Sequence, residues 1–438
     1  MHEHVGAQAG DARRHGGLPG PLLRHIARWP YRCERRTRPR AARARAPRAH
    51  RRSRAMTRRA DTVVVGGGIV GTCIAGFLAE AGEGVLVLDH GHGAGTTSNA
   101  GSLHVQMQSR FMRLYPEAVP GMEAQLPLYR EAVAFWRDLV ARLGIDVGLA
   151  MTGGLMVAES EEQLAFLGAK AARERAAGLE VEILTRADLT RIAPYLGPAI
   201  VGAELCADEG KVDPLAANAA LAAWAAGLGV TRDRDRLVLG IDTEAGGYLL
   251  ATDRGPVSAR RVVLAAGWGT GALAARFGLA VPSRAEPLHM NITEAAAPLI
   301  GHLVQHADRM ITLKQLASGQ VVIGGGWPAR AGEGRDAPGV ELDSMIASAT
   351  LAQHVVPALA PLRILRCWAG NNTAVDGRGV LGPVAGHPGL FVAVPGDAGY
   401  TLGPLSARLV ADAVLGRGDG GAIAPYLPDR FSVALAAR

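Results

Sequence analysis

Three glycines in fixed register carry the first recognisable chemistry in this sequence: Gly66-Gly67-Gly68-Ile69-Val70-Gly71 spells GxGxxG. In a strand–turn–helix setting Gly66 permits the tight turn, and Gly68 lets a pyrophosphate approach the backbone. Gly71 lets the helix pack closely on the strand. The N-terminus of the helix that follows offers free N–H groups and the positive end of its dipole to the phosphates. Eighteen residues past Gly71 comes Asp89, an acid suited to a ribose diol and unfavourable to the 2′-phosphate of NADP.

The flanking elements fit that chemistry. Residues 62–65 are a β-branched run suited to a strand buried on both faces. Residues 72–81 read as a helix, and 84–89 as a second strand ending in the acid. Strand, glycines, helix, strand and acid in register predict a dinucleotide site. NAD or FAD is not decided by this motif.

Downstream segments favour FAD. Residues 95–102, with Thr97, Ser98, Asn99, Ala100, Gly101 and Ser102, form a polar, small-residue loop that can lie along a cofactor. Taken alone it is equally an ordinary loop. Residues 261–264 form a strand ending at Ala265-Ala266-Gly267-Trp268, after alternating runs near 236–241 and 247–252 that suggest a β-meander. Near the C-terminus a strand at 390–394 leads into a glycine turn, 395–404, and a final helix, 405–415. That helix can aim its N-terminal dipole at the pyrimidine end of a flavin, stabilising the reduced ring. A further helix, 124–143, places Leu126, Tyr129, Val133, Trp136, Val140 and Leu143 on one stripe, read as a core face.

Composition sets the outer bounds. In 438 residues, 48% hydrophobic and 20% charged residues support a substantial core and exclude a wholly disordered chain. The 57 glycines show no three-residue period, which excludes collagen. Cys33, Cys73, Cys206 and Cys367 include no C-x-x-C pair, so zinc and iron–sulfur sites are disfavoured and no metal is expected. The net charge of +7 is uneven: residues 1–55 hold fifteen Arg against Glu3, Asp11 and Glu34, or +12, leaving −5 on 56–438. We read 1–57 as a disordered leader, with natural translation starting at Met56, and expect no nucleic-acid partner. The uncharged stretch 62–79 is interrupted by five glycines and reads as strand, turn and helix rather than a transmembrane segment.

With these motifs in place, the chain resembles the FAD-dependent amine oxidoreductases of the D-amino acid oxidase superfamily over 60–416. The resemblance rests on VVVGGGIVG, VLVLD, TTSNAGS, DEGKVDP (208–214), VVLAAGW, WAG (368–370), DGRGVLGP (376–383) and GYTLGP (399–404). SNAGSLHVQMQSRF (98–111) and GYTLGP make it most similar to the branch of the β subunits of opine oxidase, D-hydroxyproline dehydrogenase and hydrogen cyanide synthase. The resemblance implies an α/β fold: a discontinuous Rossmann-like FAD-binding domain (58–150, 212–282 and 371–438) and an α+β substrate domain with a mixed sheet (151–211 and 283–370). The expected cofactor contacts are Gly66, Gly68, Ile69, Val70, Gly71, Asp89, His90, Thr97 to Ser102, Val212, Ala266, Gly267, Trp268, Gly370, Gly396, Gly399, Tyr400, Thr401 and Leu402.

The implied reaction is oxidation of the C–N bond of a small amine, D-amino acid, imino acid or opine, by hydride transfer to flavin N5. Where glycine oxidase-like members carry a carboxylate-anchoring arginine after the strand holding Trp368-Ala369-Gly370, this chain has Asn371-Asn372-Thr373. Asn can hydrogen-bond a carboxylate but brings no charge. His104, Gln106, Lys314, Gln315, Asn372 and Tyr400 are the candidate pocket contacts, with His104, Asn372 and Tyr400 taken as catalytic. Lys314, ahead of a hairpin turn at Ser318-Gly319, reads more readily as a solvated strand-end charge. Electrons would leave to dioxygen, a quinone or a partner redox subunit in a hetero-oligomer, in a cytoplasmic protein or one peripheral to the inner membrane face. Other readings are a stand-alone glycine or D-amino acid oxidase releasing hydrogen peroxide, a non-catalytic flavoprotein subunit, and an NAD-dependent dehydrogenase.

Overall fold

Val63, Val64 and Val65 are at most 4% exposed, as β-branched residues at the centre of a parallel sheet should be. In the computed structural model, which describes residues 58–91, 95–333, 337–418 and 420–432, they end the strand Arg58–Val65. The leader 1–57 lies outside the described residues. Arg58–Val65 pairs in parallel with Val85–Asp89 on one side and Val257–Leu264 on the other. Thr231–Arg234 extends one flank and Leu390–Val394 the other, both in parallel. Val380–Pro383 then closes that edge antiparallel to Leu390–Val394. The expected meander is present as Val238–Glu244 and Gly247–Thr252, attached antiparallel to Val257–Leu264.

Helix Ile69–Glu80 starts three residues before the expected 72, because the glycine turn ends at Gly68. It packs between helices Pro214–Gly227 and Gly399–Val414. Gly76 allows one of these contacts: a Cβ there would fall 2.3 Å from the Trp224 ring. Helix Leu126–Leu143 covers Gly399–Val414, burying Leu126, Val133 and Trp136, with Tyr129, Val140 and Leu143 half-buried beside them. The predicted stripe is therefore a core face.

The final helix differs from expectation. It begins at Gly399, not 405, so most of the supposed glycine turn is helical, and Pro404 lies inside it. Proline there lacks the N–H that would reach the carbonyl of Tyr400, four residues back.

The second sheet is mixed. Its strand order is Ile364–Ala374, Arg284–Ala295, Gln320–Gly324, Thr312–Gln315, Leu303–His306, Gly154–Ala158, Gly202–Cys206, Val181–Thr185. All neighbours are antiparallel except Leu303–His306 with Gly154–Ala158. Helix Leu342–Val355 covers one face, with Leu155, Val304, Leu313 and Ile323 in the core beneath it. Strand Ile364–Ala374 runs across the expected division at 370/371.

The register places Met290, Ile292, Val322, Lys314, Thr312 and Gln305 together on the opposite face. Lys314 thus corrects an expectation. The strand carrying it is Thr312–Gln315, so Lys314 is an interior residue, and its side chain is fully buried rather than solvated. Among the described residues no helix is long and apolar enough to cross a membrane.

Candidate active site

The glycine turn adopts the geometry its residue types suggest. Gly66 has φ +107°, and a Cβ on it would sit 2.3 Å from the Ala265 carbonyl oxygen. A Cβ on Gly71 would fall 1.9 Å from the Gly66 oxygen and 3.2 Å from Val64 Cγ1, so Gly71 serves strand–helix packing. Within the first helical turn, Thr96 Oγ1 accepts the Ile69 N–H at 2.9 Å and Gly68 O accepts that of Thr72 at 2.9 Å. Thr96 is a cap that sequence reasoning missed, because it comes from a distant loop.

Asp89 lies at the end of its strand beside the turn, and Arg232, also missed, sits between them. Arg232 Nη2 donates to the Gly67 carbonyl at 2.7 Å and to Asp89 Oδ2. Asp89 Oδ1 accepts the Gly91 N–H at 3.2 Å. Burial works to raise the Asp89 carboxyl, but the bond and charge of Arg232, with the N–H groups of Gly91 and Gly67, together hold it below its ordinary value. A carboxylate accepts about four hydrogen bonds, so Asp89 retains capacity for a ribose diol while tied to Arg232.

A cavity of about 500 Å³ starts at this turn. Gly66, Gly68, Ile69, Val70, Asp89 and His90 line one end. Ser98 and Asn99, Ala266, Gly267 and Trp268, and Gly370, Gly396, Gly399 and Tyr400 line the rest. The glycine crossover and the C-terminal turn therefore share one cavity. The wall also includes Arg236, Leu237, Val238 and Leu239, and Leu288 and Met290 from the mixed sheet, none of them expected. Alternation along Arg284–Ala295 is the signal for the last two, since residues two apart share a face. Asn371 and Asn372 line the same end, where Asn372 Nδ2 donates to Glu286 Oε2 at 3.3 Å. The lining arginines, Arg236 and Arg276, are paired with Asp233 and Asp242 at 2.5 and 2.8 Å.

Other expected contacts lie outside this wall. Gly71, Thr97, Ala100, Gly101, Ser102, Val212, Thr401 and Leu402 do not line the cavity. Val212 is fully buried and its N–H donates to the Gly101 carbonyl at 2.8 Å. Leu402 gives its N–H to Ala398 at 3.0 Å and buries its side chain. Thr401 Oγ1 accepts the His104 N–H at 3.2 Å and donates to the Ser102 carbonyl at 3.4 Å, tying the loop to the helix.

Tyr400 is a correction. Its backbone reaches the cavity, but the ring stacks on Trp136 at 5.7 Å. Its hydroxyl hydrogen is shared between the Pro214 carbonyl at 3.2 Å and Asn218 Oδ1 at 3.1 Å, so the phenol braces the helices.

His104, half-buried, and Gln106, buried, belong to a polar layer around Glu209. His104 is not a lining residue; Nδ1 lies 3.8 Å from Glu209 Oε1, and burial, then the charge of Lys314, push the imidazole down to about 4. Gln106 is also corrected from pocket contact to brace: its Nε2 donates to Glu209 Oε2 at 3.0 Å. Glu209 accepts the N–H groups of Val105 and Gln106 as well, and burial, only partly offset by these bonds, raises it to about 7. Gln315 points to the other face and accepts the N–H groups of Leu299 and Ile300 at 2.6 and 3.0 Å, away from the site.

This arrangement fits a dinucleotide with a ring system at its far end. The glycine cradle would be filled by any Cβ, helix Ile69–Glu80 opens onto it, and the cavity continues to the N-terminus of Gly399–Val414. Comparison with known proteins agrees. The FAD dependent oxidoreductase family (DAO) matches residues 61–413. An opine oxidase subunit of Agrobacterium tumefaciens (strain Ach5) is 30% identical, over 81% of this chain and 93% of that protein. Glycine oxidase of Geobacillus kaustophilus (strain HTA426) is 29% identical, over 85% of this chain and 97% of that protein. The crystal structure of glycine oxidase from Geobacillus kaustophilus superposes with a TM-score of 0.74 at 26% identity, covering 85% of this chain and 99% of that one. The match spans the glycine turn, the cavity and the helix at its far end, and the chain belongs to the DAO family of FAD-dependent oxidoreductases.

Proposed function

We propose that this enzyme oxidises the C–N bond of a small amine, D-amino acid, imino acid or opine. The observation that carries the reading is the wall at the far end of the cavity. Leu288, Met290, Gly370 and Asn372 from the mixed sheet face the turn that ends at Gly396 and Gly399, an apolar and amide surface with no acid–base pair among the lining residues there. When bound, the flavin would supply a two-electron acceptor for the hydride at the substrate's α-carbon. The chain's own tasks are to orient that carbon, exclude water and hold the polar end of the substrate. Leu288 and Met290 suit the second task. Asn372, oriented by Glu286, suits the third by hydrogen bonding without charge.

The similarity to the opine oxidase subunit, and to the beta chain of sarcosine oxidase from Rhizobium meliloti (strain 1021), supports a hetero-oligomer passing electrons to a redox partner. The similarity to glycine oxidases supports a single chain that uses dioxygen. Anaerobic mixing with amines, imino acids and opines should bleach the flavin absorbance. An oxidised spectrum intact under every one of them would reject the reading. Hydrogen peroxide release by the single chain separates the stand-alone oxidase from the hetero-oligomer.

A further inference from the structure

Lys314 is a fully buried lysine in the middle of strand Thr312–Gln315. Its Nζ donates to the Val212 carbonyl at 3.1 Å, and among the described residues no carboxylate pairs with it. Burying a lysine this way is costly unless its charge serves something nearby. Its surroundings show what that is.

A Cβ on Gly101, whose φ is +78°, would fall 2.9 Å from Nζ and 2.5 Å from the Val212 carbonyl. A glycine is therefore needed for the loop to rest against this ammonium. The same loop presents Ser98 and Asn99 to the cavity and is tied through Ser102 to Thr401, in the first turn of helix Gly399–Val414. Lys314 also shares a sheet face with Met290, which lines the cavity.

We propose that Lys314 is a positioning residue of the cofactor site: held behind Gly101, it takes up a proton when the flavin ring is reduced, and that charge favours the ring's negatively charged state. Lys211 opposes the charge, with Asp213 working the other way, and burial is the largest influence, lowering the amine well below the usual lysine range. A negative charge appearing across the loop would draw a proton back to it. Exclusion of water at this buried position makes one charge felt over several ångströms. The proposal rests on the FAD-dependent oxidation proposed above.

The test uses the flavin-bound protein and compares wild type, Lys314→Gln and Lys314→Arg. Gln keeps a hydrogen-bond donor for the Val212 carbonyl but no charge; Arg keeps the charge. The readouts are the sulfite dissociation constant and the two-electron midpoint potential. Lys314→Gln should weaken sulfite binding at least tenfold and lower the potential by about 30 mV, the equivalent of tenfold in a two-electron equilibrium. Lys314→Arg should stay within about threefold of wild type, about 0.7 kcal/mol. A Lys314→Gln protein with wild-type sulfite affinity and potential overturns the proposal and leaves the oxidation reading untouched. If Lys314→Gln fails to fold, Lys314→Arg decides alone: a wild-type potential sustains the proposal, and a fall of about 30 mV overturns it. Failure of the oxidation reading has a different signature, a wild-type flavin that no amine reduces.

Discussion

The indole Nε1 of Trp136 donates to the carbonyl oxygen of Tyr400 at 3.2 Å, supplying the hydrogen that Pro404 withholds from its own helix. Trp136 is fully buried on helix Leu126–Leu143, so two helices are joined at the point where the cavity ends. Trp136→Phe keeps an aromatic ring against Tyr400 and strands the carbonyl. An unsatisfied buried acceptor costs about 1–3 kcal/mol, on top of the lost ring volume. The thermal midpoint of the variant should fall, and flavin should leave it more readily. A midpoint equal to wild type would show that water replaces the indole.

Gly71→Ala places a methyl group 1.9 Å from the Gly66 oxygen. The helix must move away from the turn, and overpacking of this kind costs about 1–3 kcal/mol. Purified Gly71→Ala should have lost most of its flavin absorbance in the visible relative to protein while keeping a native far-ultraviolet spectrum. Full flavin content would contradict the packing role given to this glycine.

Gly370→Ala tests the opposite wall. A Cβ there would lie 2.2 Å from Ser98 Cβ, where the Trp368 indole also donates to the Ser98 carbonyl at 2.9 Å. We expect a fold close to wild type, because the clash falls on a loop, together with at least a tenfold rise in the flavin dissociation constant, about 1.4 kcal/mol. Fluorescence titration of the apoprotein with FAD reads it directly.

One half-buried and one fully buried carboxylate make stability depend on pH in opposite directions. Glu159 is held down to about 2, first by its bond to His306, against burial, with Arg309 and His354 assisting. Its folded value is below its unfolded one, so its contribution is present above about pH 4.3 and is lost as pH falls towards 2. Glu209 is raised to about 7, chiefly by burial. The folded protein holds that proton more tightly, so this contribution is present below about pH 4.3 and is lost as pH rises through 7. In Glu209→Gln the decline in denaturation midpoint between pH 5 and 7 should flatten. An unchanged slope would assign the decline to other groups.

Much of the fold was legible because it rests on local patterns. The β-branched 62–65 run, the glycine spacing, the acid at 89 and the stripe on helix Leu126–Leu143 each state their own structure. What escaped was non-local. Arg232 reaches Gly67 and Asp89 from a strand that enters the sheet far along the chain, and Thr96 caps a helix that precedes it. Lys314 was misplaced because charge near a turn suggests solvent, and only pairing with Gln320–Gly324 reveals a buried strand interior. Tyr400 lay beside the site as expected, yet its phenol's direction depends on Trp136 and Asn218, which sequence distance hides.

The parallel sheet also dictates an order of assembly. Its centre pairs Arg58–Val65 with Val257–Leu264, and Leu390–Val394 docks on the latter. A nascent chain that has emerged only as far as residue 380 owns the glycine turn but not the strand or helix that complete the far wall. Flavin capture therefore requires a chain extended through its last helix, and C-terminally shortened products should emerge colourless and aggregation-prone, with the strand edge at 262–264 left open to other chains.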